Sequence, residues 1–344
     1  LEYKMSVTQE DIAKKAGVSR GTVYRALNAS GRIDPETARK IRKIAAEMGY
    51  VRSGMSGTFA KMRDPIKLGV VIQSVETILM NEILEMIHLK VRDYVIYGVE
   101  ILVKPITHID VNCQLEAIND LLDKGIHGLA ITPAEDDRVA DLIESISSEI
   151  PVVTFNTDLV GCGRLAYVGQ DSFKSGRTAA GLMNMIVPKE ARILVVTGHI
   201  NNSSHQARVE GFISENSALD SNLQVLPIER CNDDDTISYS IVADKFLQYP
   251  DIQGIYYSAG GQSGACKAIE DLGLENKVRF IGHDITGENV QKIRAGLIDF
   301  VLDQDPEEQA IRPLQILHDV IRNNKILDRE FYWTQIGIYC QYNI

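Results

Sequence analysis

Long apolar runs are missing from this sequence: no window approaches the ~18 consecutive apolar residues that a membrane-spanning helix needs. Nor does a basic segment followed by an apolar stretch stand near the N-terminus, so no secretory leader is expected; Leu1 to Lys4 are set aside from fold reasoning. Cysteine is sparse and scattered. Cys113, Cys162, Cys231, Cys266 and Cys340 are odd in number and have no CxxC or Cys/His spacing, which argues against a disulfide framework and against zinc, so no metal is expected. Reduced thiols in a cytoplasmic protein are the expectation. Recognisable catalytic signatures are absent too: there is no G-x-S-x-G elbow, P-loop or HExxH, so no enzyme activity and no cofactor are expected.

Charge, by contrast, is present and unevenly spread. The 344 residues carry a net charge of -11, but residues 1–63 hold 13 Lys and Arg against 6 Asp and Glu, a net +7. The remainder holds 23 against 41, a net -18. A basic head on an acidic body implies that only the head meets a polyanion. In that head, Thr8 stands as a helix cap with Asp11 three residues on, and Ile12, Ala13 and Ala16 share one face. Gly17 supplies the turn, Ser19 caps a second helix, and Val23, Ala26 and Leu27 form its inner stripe. A third helix opens at "DPET", with Asp34 as cap and Pro35 at the first helical position. Three short helices with a tight first turn describe a helix-turn-helix unit, whose second helix enters a major groove. Arg20 and Arg25 are then placed to donate to guanine acceptors or phosphates, Tyr24 to meet the backbone, and Ser19 and Thr22 to meet phosphate. On pattern and charge alone, a small bundle with solvated arginines is the alternative.

The stretch "VTQEDIAKKAGVSRGTVYRALN" resembles the N-terminal signature of the LacI/GalR bacterial transcription regulators. The shared skeleton is Val7-Thr8, Asp11-Ile12-Ala13, Ala16-Gly17-Val18-Ser19, Thr22-Val23, Arg25 and Leu27-Asn28, and "GRIDPETARKIRKIAAEMGY" continues it without a gap. The resemblance implies that Arg20, Gly21 and Arg25 face base edges; Gly21 has no side chain to read with, so Arg20 and Arg25 carry more of the readout. It also implies that residues 51–65 fold as a hinge helix on operator DNA, with Phe59 as an apolar wedge in the minor groove and Met55 beside it. The family's pattern has proline and asparagine where Arg52 and Ser53 stand, and leucine at Phe59; Gly54 and Gly57 each cost a helix roughly 1 kcal/mol.

From Pro65 onward, apolar strand-like runs alternate with helical stretches, the signature of parallel α/β units. One set is "KLGVVIQSV", "GVEILVKPI", "GLAITP", "PVVTFNTD" and "RLAYVGQD"; the other is "RILVVTG", "LQVLPIE", "GIYYSAG", "RFIGHD" and "DFVLDQDP". Two sets of about five strands predict two doubly wound lobes, with a ligand cleft at the carboxyl ends of the strands. This body resembles the effector core of the same family, which is similar to periplasmic sugar-binding proteins. The expected fold is therefore α/β: two doubly wound parallel-sheet lobes of the type I periplasmic-binding-protein kind, preceded by a small all-α helix-turn-helix domain. Its divisions are expected at 5–50 for the head, 51–65 for the hinge and 66–344 for the core. The chain is expected to cross between lobes near Val187-Pro188, Asp303-Pro306 and Lys325-Leu327, giving lobe 1 as 66–187 with 304–326 and lobe 2 as 188–303 with 327–344.

Polar residues at strand ends are the candidate effector contacts: Asp171, Asp284 and Gln304 by position, and Arg208 by its match to the family's effector arginine, with Glu135 added by the same resemblance. A carboxylate beside an arginine suits the vicinal hydroxyls of a sugar or polyol. Helix capping is an equal explanation for Asp171. Gln73, Asn156 and Asp158 also lie near strand ends, and Phe155, Tyr256 and Trp333 are possible stacking partners for which core packing is the better explanation. Relatives carry Asn-Asp after the strand matching "GIYYSAG", whereas this chain has "SAGGQSG". Two rivals remain. A dinucleotide-binding enzyme is suggested by "YYSAGGQSGACKAIEDLG" followed by "RFIGHD", but the fingerprint needs glycine at Ala259. A periplasmic-type solute receptor fits the lobes but leaves the basic head unexplained. The expectation is a DNA-binding repressor of palindromic operators, cytoplasmic and with no membrane partner, modulated by a sugar-like effector. A homodimer doubles the site read by one short helix. The chain ends soon after "QIGIYCQYNI", without the leucine-heptad tail of tetrameric relatives.

Overall fold

The structure is a computed structural model describing residues 9–28, 34, 37, 40, 41, 44 and 65–344, apart from 97, 200, 201, 220 and 221. The chain divides into two compact units, Leu1–Pro65 and Ile66–Ile344.

In the first unit, α1 (Gln9–Ala16) is followed by α2 (Arg20–Asn28). Gly17 makes the turn at φ +70°, a left-handed backbone that costs glycine little. The Val18 N–H donates back to the Ala13 carbonyl (3.1 Å), closing the end of α1. Ser19 caps α2, its Oγ accepting from the Thr22 N–H (3.2 Å). Asp34 accepts both the N–H and the hydroxyl of Thr37, each at 2.8 Å. Ile12, Ala13, Ala16, Val23, Ala26 and Ile41 are buried together, with Val18 and Ile44 packed against them. Four of the six are alanine or valine, so this core is small and brings the helices close.

The second unit holds two sheets. Strands β1 (Ile66–Ile72), β2 (Val99–Pro105), β3 (Gly128–Ile131), β4 (Val152–Phe155) and β5 (Ala166–Gly169) form the first, in the order β2-β1-β3-β4-β5. Between them run α3 (Ile78–Ile96), α4 (Val111–Asp123) and α5 (Asp137–Ser147). The strands are nearly continuous apolar runs because helices cover both faces. Asp110 and Asp136 cap α4 and α5.

After β5 comes α6 (Ser172–Ile186), then the second sheet: β6 (Arg192–Thr197), β7 (Gln224–Val225), β8 (Glu229–Arg230), β9 (Ile252–Tyr257), β10 (Arg279–His283) and β11 (Phe300–Asp303). Its helices are α7 (Ser203–Ala218), α8 (Asp235–Gln248), α9 (Gln262–Asp271) and α10 (Gly287–Arg294). The order is β7-β6-β9-β10-β11, with β8 also on β6, so the second sheet repeats the topology of the first. Helix α11 (Pro306–Asn323) then returns to the first lobe, where Ala310, Leu314, Ile316 and Leu317 join its core. Two short strands close the chain: β12 (Phe331–Trp333) and β13 (Gly337–Tyr339).

Two of the expected lobe boundaries move. Helix α6 belongs to the second lobe, not the first: Ala179, Ala180 and Met183 are buried with Ile193, Val195, Tyr256, Ile281 and Leu302. The first crossing therefore falls at Gln170-Asp171 rather than Val187-Pro188. A βα pattern identifies the helix, but which sheet it covers depends on where its apolar face fits. Likewise β12 pairs in parallel with β5 (Phe331 beside Tyr167, Trp333 beside Gly169), while β13 pairs antiparallel with β11. The third crossing lies between Trp333 and Gly337, not at Lys325-Leu327. The second crossing, at Asp303 to Pro306, stands where β11 ends and α11 begins.

Candidate functional site

Parallel strands in both lobes end at the same cleft, so the residues just past those ends build its walls. On the second lobe, Asn202 caps α7 by accepting from the His205 N–H (3.1 Å), which aims the next turns of that helix at the sheet. Arg208, two turns in, is only 2% exposed. Helices α6 and α7 cross so closely that a Cβ on Gly176 would lie 1.9 Å from the Arg208 carbonyl oxygen, and one on Gly211 2.0 Å from that of Phe173. Nothing but glycine fits at either position, and the tight crossing presses Arg208 inward. Its Nη1 donates to the Ser258 carbonyl (3.0 Å), whereas its Nε has no partner among the described residues.

Around the guanidinium stand His205, His283, Tyr256 and Asp284. Burial, then the Arg208 charge, holds His205 down at about 4, with Asp233 opposing. The same two causes push His283 well below the ordinary histidine range. Tyr256 and His283 share a hydrogen bond (3.1 Å), and Tyr256 stacks on Phe212 at 4.5 Å. Tyr256 and Phe155 are thus core residues, not stacking platforms.

Asp284 takes a left-handed backbone, φ +67°, a conformation aspartate tolerates better than most residues. Its N–H donates to the Leu302 carbonyl (3.0 Å) and its Oδ1 accepts from Gln304 Nε2 (2.6 Å). Burial pushes the Asp284 carboxyl up, while Arg208 and the Gln304 hydrogen bond pull it down. Gln304 is buried at the second crossing, and its carbonyl accepts from both Gln309 Nε2 and the Thr334 hydroxyl, each at 2.9 Å. The Thr334 N–H reaches the Gly169 carbonyl (2.9 Å), and Gln170 Nε2 reaches the Asp303 carbonyl (2.7 Å). All three crossings are thereby stitched together, and Asp284 is one hydrogen bond from the stitch.

Arg208, Asp284 and Gln304 are brought together; the other two candidates are not. Asp171 caps α6, accepting from the Lys174 N–H (2.9 Å). Glu135 is exposed and spans the cleft, its Oε1 accepting from the Ser203 N–H at the start of α7 (3.0 Å). On the first lobe, Gln73 and Gln114 form a closed network. Gln73 Nε2 donates to the Pro133 carbonyl (3.0 Å), and Gln114 Nε2 to Gln73 Oε1 (3.3 Å) and the Thr132 carbonyl (3.0 Å). Gln114 Oε1 accepts from the Ala134 N–H (2.8 Å). Asn156 is joined to Gln309 (3.0 Å), and Asp158 is committed to buried Arg164, whose Nη2 reaches its Oδ2 at 2.6 Å. Trp333, 53% exposed, stacks on Phe331 at 5.1 Å.

Three residues at the cleft were not among the candidate effector contacts: Asp233, His205, which the sequence places beside a polar loop, and Asp303, which it names only as a crossing point. Asp233 lies in the acidic run "NDDD" and accepts from the Gly260 N–H (2.8 Å). The neighbouring Asp235 accepts from the Gly264 N–H (2.9 Å), whose missing Cβ would sit 1.8 Å from the Asp235 carbonyl oxygen. The glycine-rich turn is therefore occupied by carboxylates and a close helix contact. Two of its amides are spent, and its charge repels a pyrophosphate, which is against the dinucleotide reading.

In the head, Arg20 and Gly21 are exposed on the first turn of α2, and a Cβ on Gly21 would meet only Ser19 Oγ, at 3.8 Å. Ser19 and Thr22 share a hydroxyl hydrogen bond (2.9 Å). Thr8, Met55 and Phe59, hinge residues 51–64, and the side chains of Tyr24, Arg25 and Asn28 lie outside the described residues. Among the described residues no helix is long and apolar enough to cross a membrane.

Comparison with known proteins adds to this geometry. Residues 8–53 match the family described as bacterial regulatory proteins, lacI family, and residues 69–325 match the periplasmic binding protein domain. The chain is 23% identical over 289 residues to the lactose operon repressor of Escherichia coli (strain K12), covering 82% of this chain and 77% of that repressor. It is also 23% identical over 219 residues to the ribose import binding protein of Bacillus subtilis (strain 168), covering 63% of this chain and 70% of that protein. Among solved structures, a glucose-galactose binding protein from Geobacillus stearothermophilus superposes with a TM-score of 0.73 at 18% identity, over 82% of this chain and 99% of the other, a likeness of fold.

Proposed function

This chain belongs to the lacI family of bacterial regulatory proteins, with a periplasmic-binding-protein core, and from that premise we propose that it is a cytoplasmic repressor which binds a palindromic operator as a homodimer and releases it when a sugar-type effector enters the cleft. The observation that carries the reading is the partnerless Nε of Arg208, 2% exposed and beside Asp284. A buried donor without an acceptor costs about 1–3 kcal/mol, a cost that a ligand oxygen would remove. Arg208 and Asp284 together offer donors and acceptors to vicinal hydroxyls, and the relatives named for ribose and lactose point to the same ligand class.

In the head, Arg20 and Arg25 are the proposed base readers, with Ser19, Thr22, Tyr24 and Asn28 on the backbone and Thr8 as the first cap. Phe59 and Met55 are the proposed minor-groove wedge. The coupling runs from Asp284 through Gln304 to the stitched crossings. A ligand held by both lobes favours one lobe arrangement, and its differential affinity for that arrangement limits the change in operator affinity. Asp171 and Glu135 sit at the cleft rim, where Glu135 latches the lobes.

The test is operator binding by fluorescence anisotropy, on a duplex selected by the purified protein from a random pool, with and without sugars and polyols. Expected is a salt-sensitive complex on a palindrome, weakened by one sugar class and insensitive to it in Arg208→Ala. A protein that selects no duplex sinks the regulator reading; one that selects a duplex but responds to sugars equally after Arg208→Ala sinks the site.

A further inference from the structure

The three acids of the run "NDDD" have different tasks. Asp234 caps α8, accepting from the Ile237 N–H (2.9 Å), and Asp235 accepts from the Gly264 N–H (2.9 Å). Asp233 instead turns its carboxylate between the cleft ends of β6 and β9, where two missing side chains make room for it. A Cβ on Gly198, just past β6, would lie 2.7 Å from each Asp233 oxygen, and one on Gly260, past β9, 3.1 Å from Oδ1. Oδ1 accepts from the Gly260 N–H (2.8 Å), which leaves Oδ2 as an acceptor.

His205 meets the same point from α7, its Nδ1 lying 2.6 Å from the Cβ position of Gly198. The hydrogen bonds of the ring assign its proton. Asn202 Oδ1 is taken by the His205 N–H (3.1 Å), so the Asn202 amide turns its NH2 toward His205 Nε2 (3.4 Å). Nε2 is then the acceptor, and the neutral ring carries its proton on Nδ1. That Nδ1 is buried and has no hydrogen-bond partner among the described residues. A donor and an acceptor therefore face one point without bonding to each other. Arg208 stands beside them, its Nη1 on the Ser258 carbonyl (3.0 Å) between the end of β9 and Gly260.

The group that completes this pair must accept from His205 and donate to Asp233. An ammonium has no lone pair for the Nδ1–H, and a phosphate or carboxylate brings negative charge against Asp233 with no proton to give it. A hydroxyl does both. Asp233 is exposed and tied at one oxygen, so it is the member that gives way as a hydroxyl enters, while His205 is fixed by Asn202 at two atoms. We propose that His205 and Asp233 form a second effector subsite, in which Nδ1–H donates to one sugar hydroxyl oxygen and Oδ2 accepts that hydroxyl's proton. This deepens the sugar-type reading above and rests on it. The pair fixes which hydroxyl must be present, and Arg208 and Asp284 hold others.

Calorimetry on the full-length protein tests it with D-ribose, D-glucose and D-galactose and with the monodeoxy forms of each. Expected is that at least one parent binds and that removing one particular hydroxyl weakens it by about 10-fold or more, as for a hydrogen bond to a charged group. Asp233→Asn can still accept from Gly260 but presents an NH2 where Oδ2 stood. In that variant the parent should weaken by a similar factor, and the same deoxy sugar should lose nothing further, because the two changes remove one interaction. His205→Ala should behave alike. A parent indifferent to the loss of every hydroxyl, a parent that binds Asp233→Asn undiminished, or a deoxy loss that persists in full in either variant overturns the subsite while leaving the sugar cleft intact. Silence from all three parents overturns the subsite and the sugar-type reading together.

Discussion

The two lobes share one strand order and differ in how their cleft-facing polar groups are spent. In the first lobe, Gln73, Gln114 and Thr132 use their side chains on one another and on nearby backbone, and no partnerless atom remains among them. In the second, His205 Nδ1, Arg208 Nε, Gln262 Oε1 and His283 Nδ1 are buried with no hydrogen-bond partner among the described residues. A satisfied network rigidifies a wall; a partly satisfied one is costly unless a ligand completes it. The first lobe thus supplies a largely satisfied wall, with Gln170 Oε1 at its edge the exception, while the second holds most of the binding capacity in reserve.

The sharpest way to break that contrast is to disturb the helix crossing behind Arg208. Gly211→Ala places a methyl 2.0 Å from the Phe173 carbonyl oxygen, so α6 and α7 must separate. We expect a loss of more than about 3 kcal/mol in urea unfolding, above the usual cost of overpacking because backbone has to move. Near-normal stability would mean that the crossing is looser than described.

Acid titration probes the reserve itself. His205, neutral and pushed down to about 4 when folded, titrates near 6.5 when unfolded, so between those values the unfolded chain binds more protons. Stability is therefore complete above pH 6.5 and falls as pH drops toward 4, by on the order of 3 kcal/mol for this residue, with His283 adding in the same direction. His205→Gln should flatten the slope measured by unfolding at a series of pH values; an unchanged slope removes His205 from the linkage.

Two truncations then compare the lobes directly. Arg208→Ala should lower effector affinity by up to about 100-fold, the scale of one or two charged hydrogen bonds, read by calorimetry. Gln114→Ala should do the reverse, leaving effector affinity close to normal while costing about 1–3 kcal/mol in unfolding, because Gln73 Oε1, the Thr132 carbonyl and the Ala134 N–H lose a partner. If Gln114→Ala weakens the effector as much as Arg208→Ala does, the division of labour fails.

Residues whose roles are local were readable from the chain. The strand runs and the break at Gly17 follow from periodicity and backbone preference, and Asp34 and Asp171 announce themselves as caps by standing just before helical stretches. Asp284 was singled out because strand ends meet ligands in this kind of sheet, and Arg208 by its match to the family's effector arginine, although it lies inside α7. Glu135 was expected at the effector but bonds to the backbone of α7, since its reach depends on how far apart the lobes stand.

By itself the sequence determined the element types, the doubly wound class and the regulatory head, because short-range sterics, patterning and contiguous motifs decide those. Tertiary structure alone decided that Ser172–Ile186 covers the second sheet, that Phe331–Trp333 extends the first, and that Gln304 reaches Asp284. Those outcomes depend on which apolar faces fit and which polar groups end up side by side, and no local pattern encodes either.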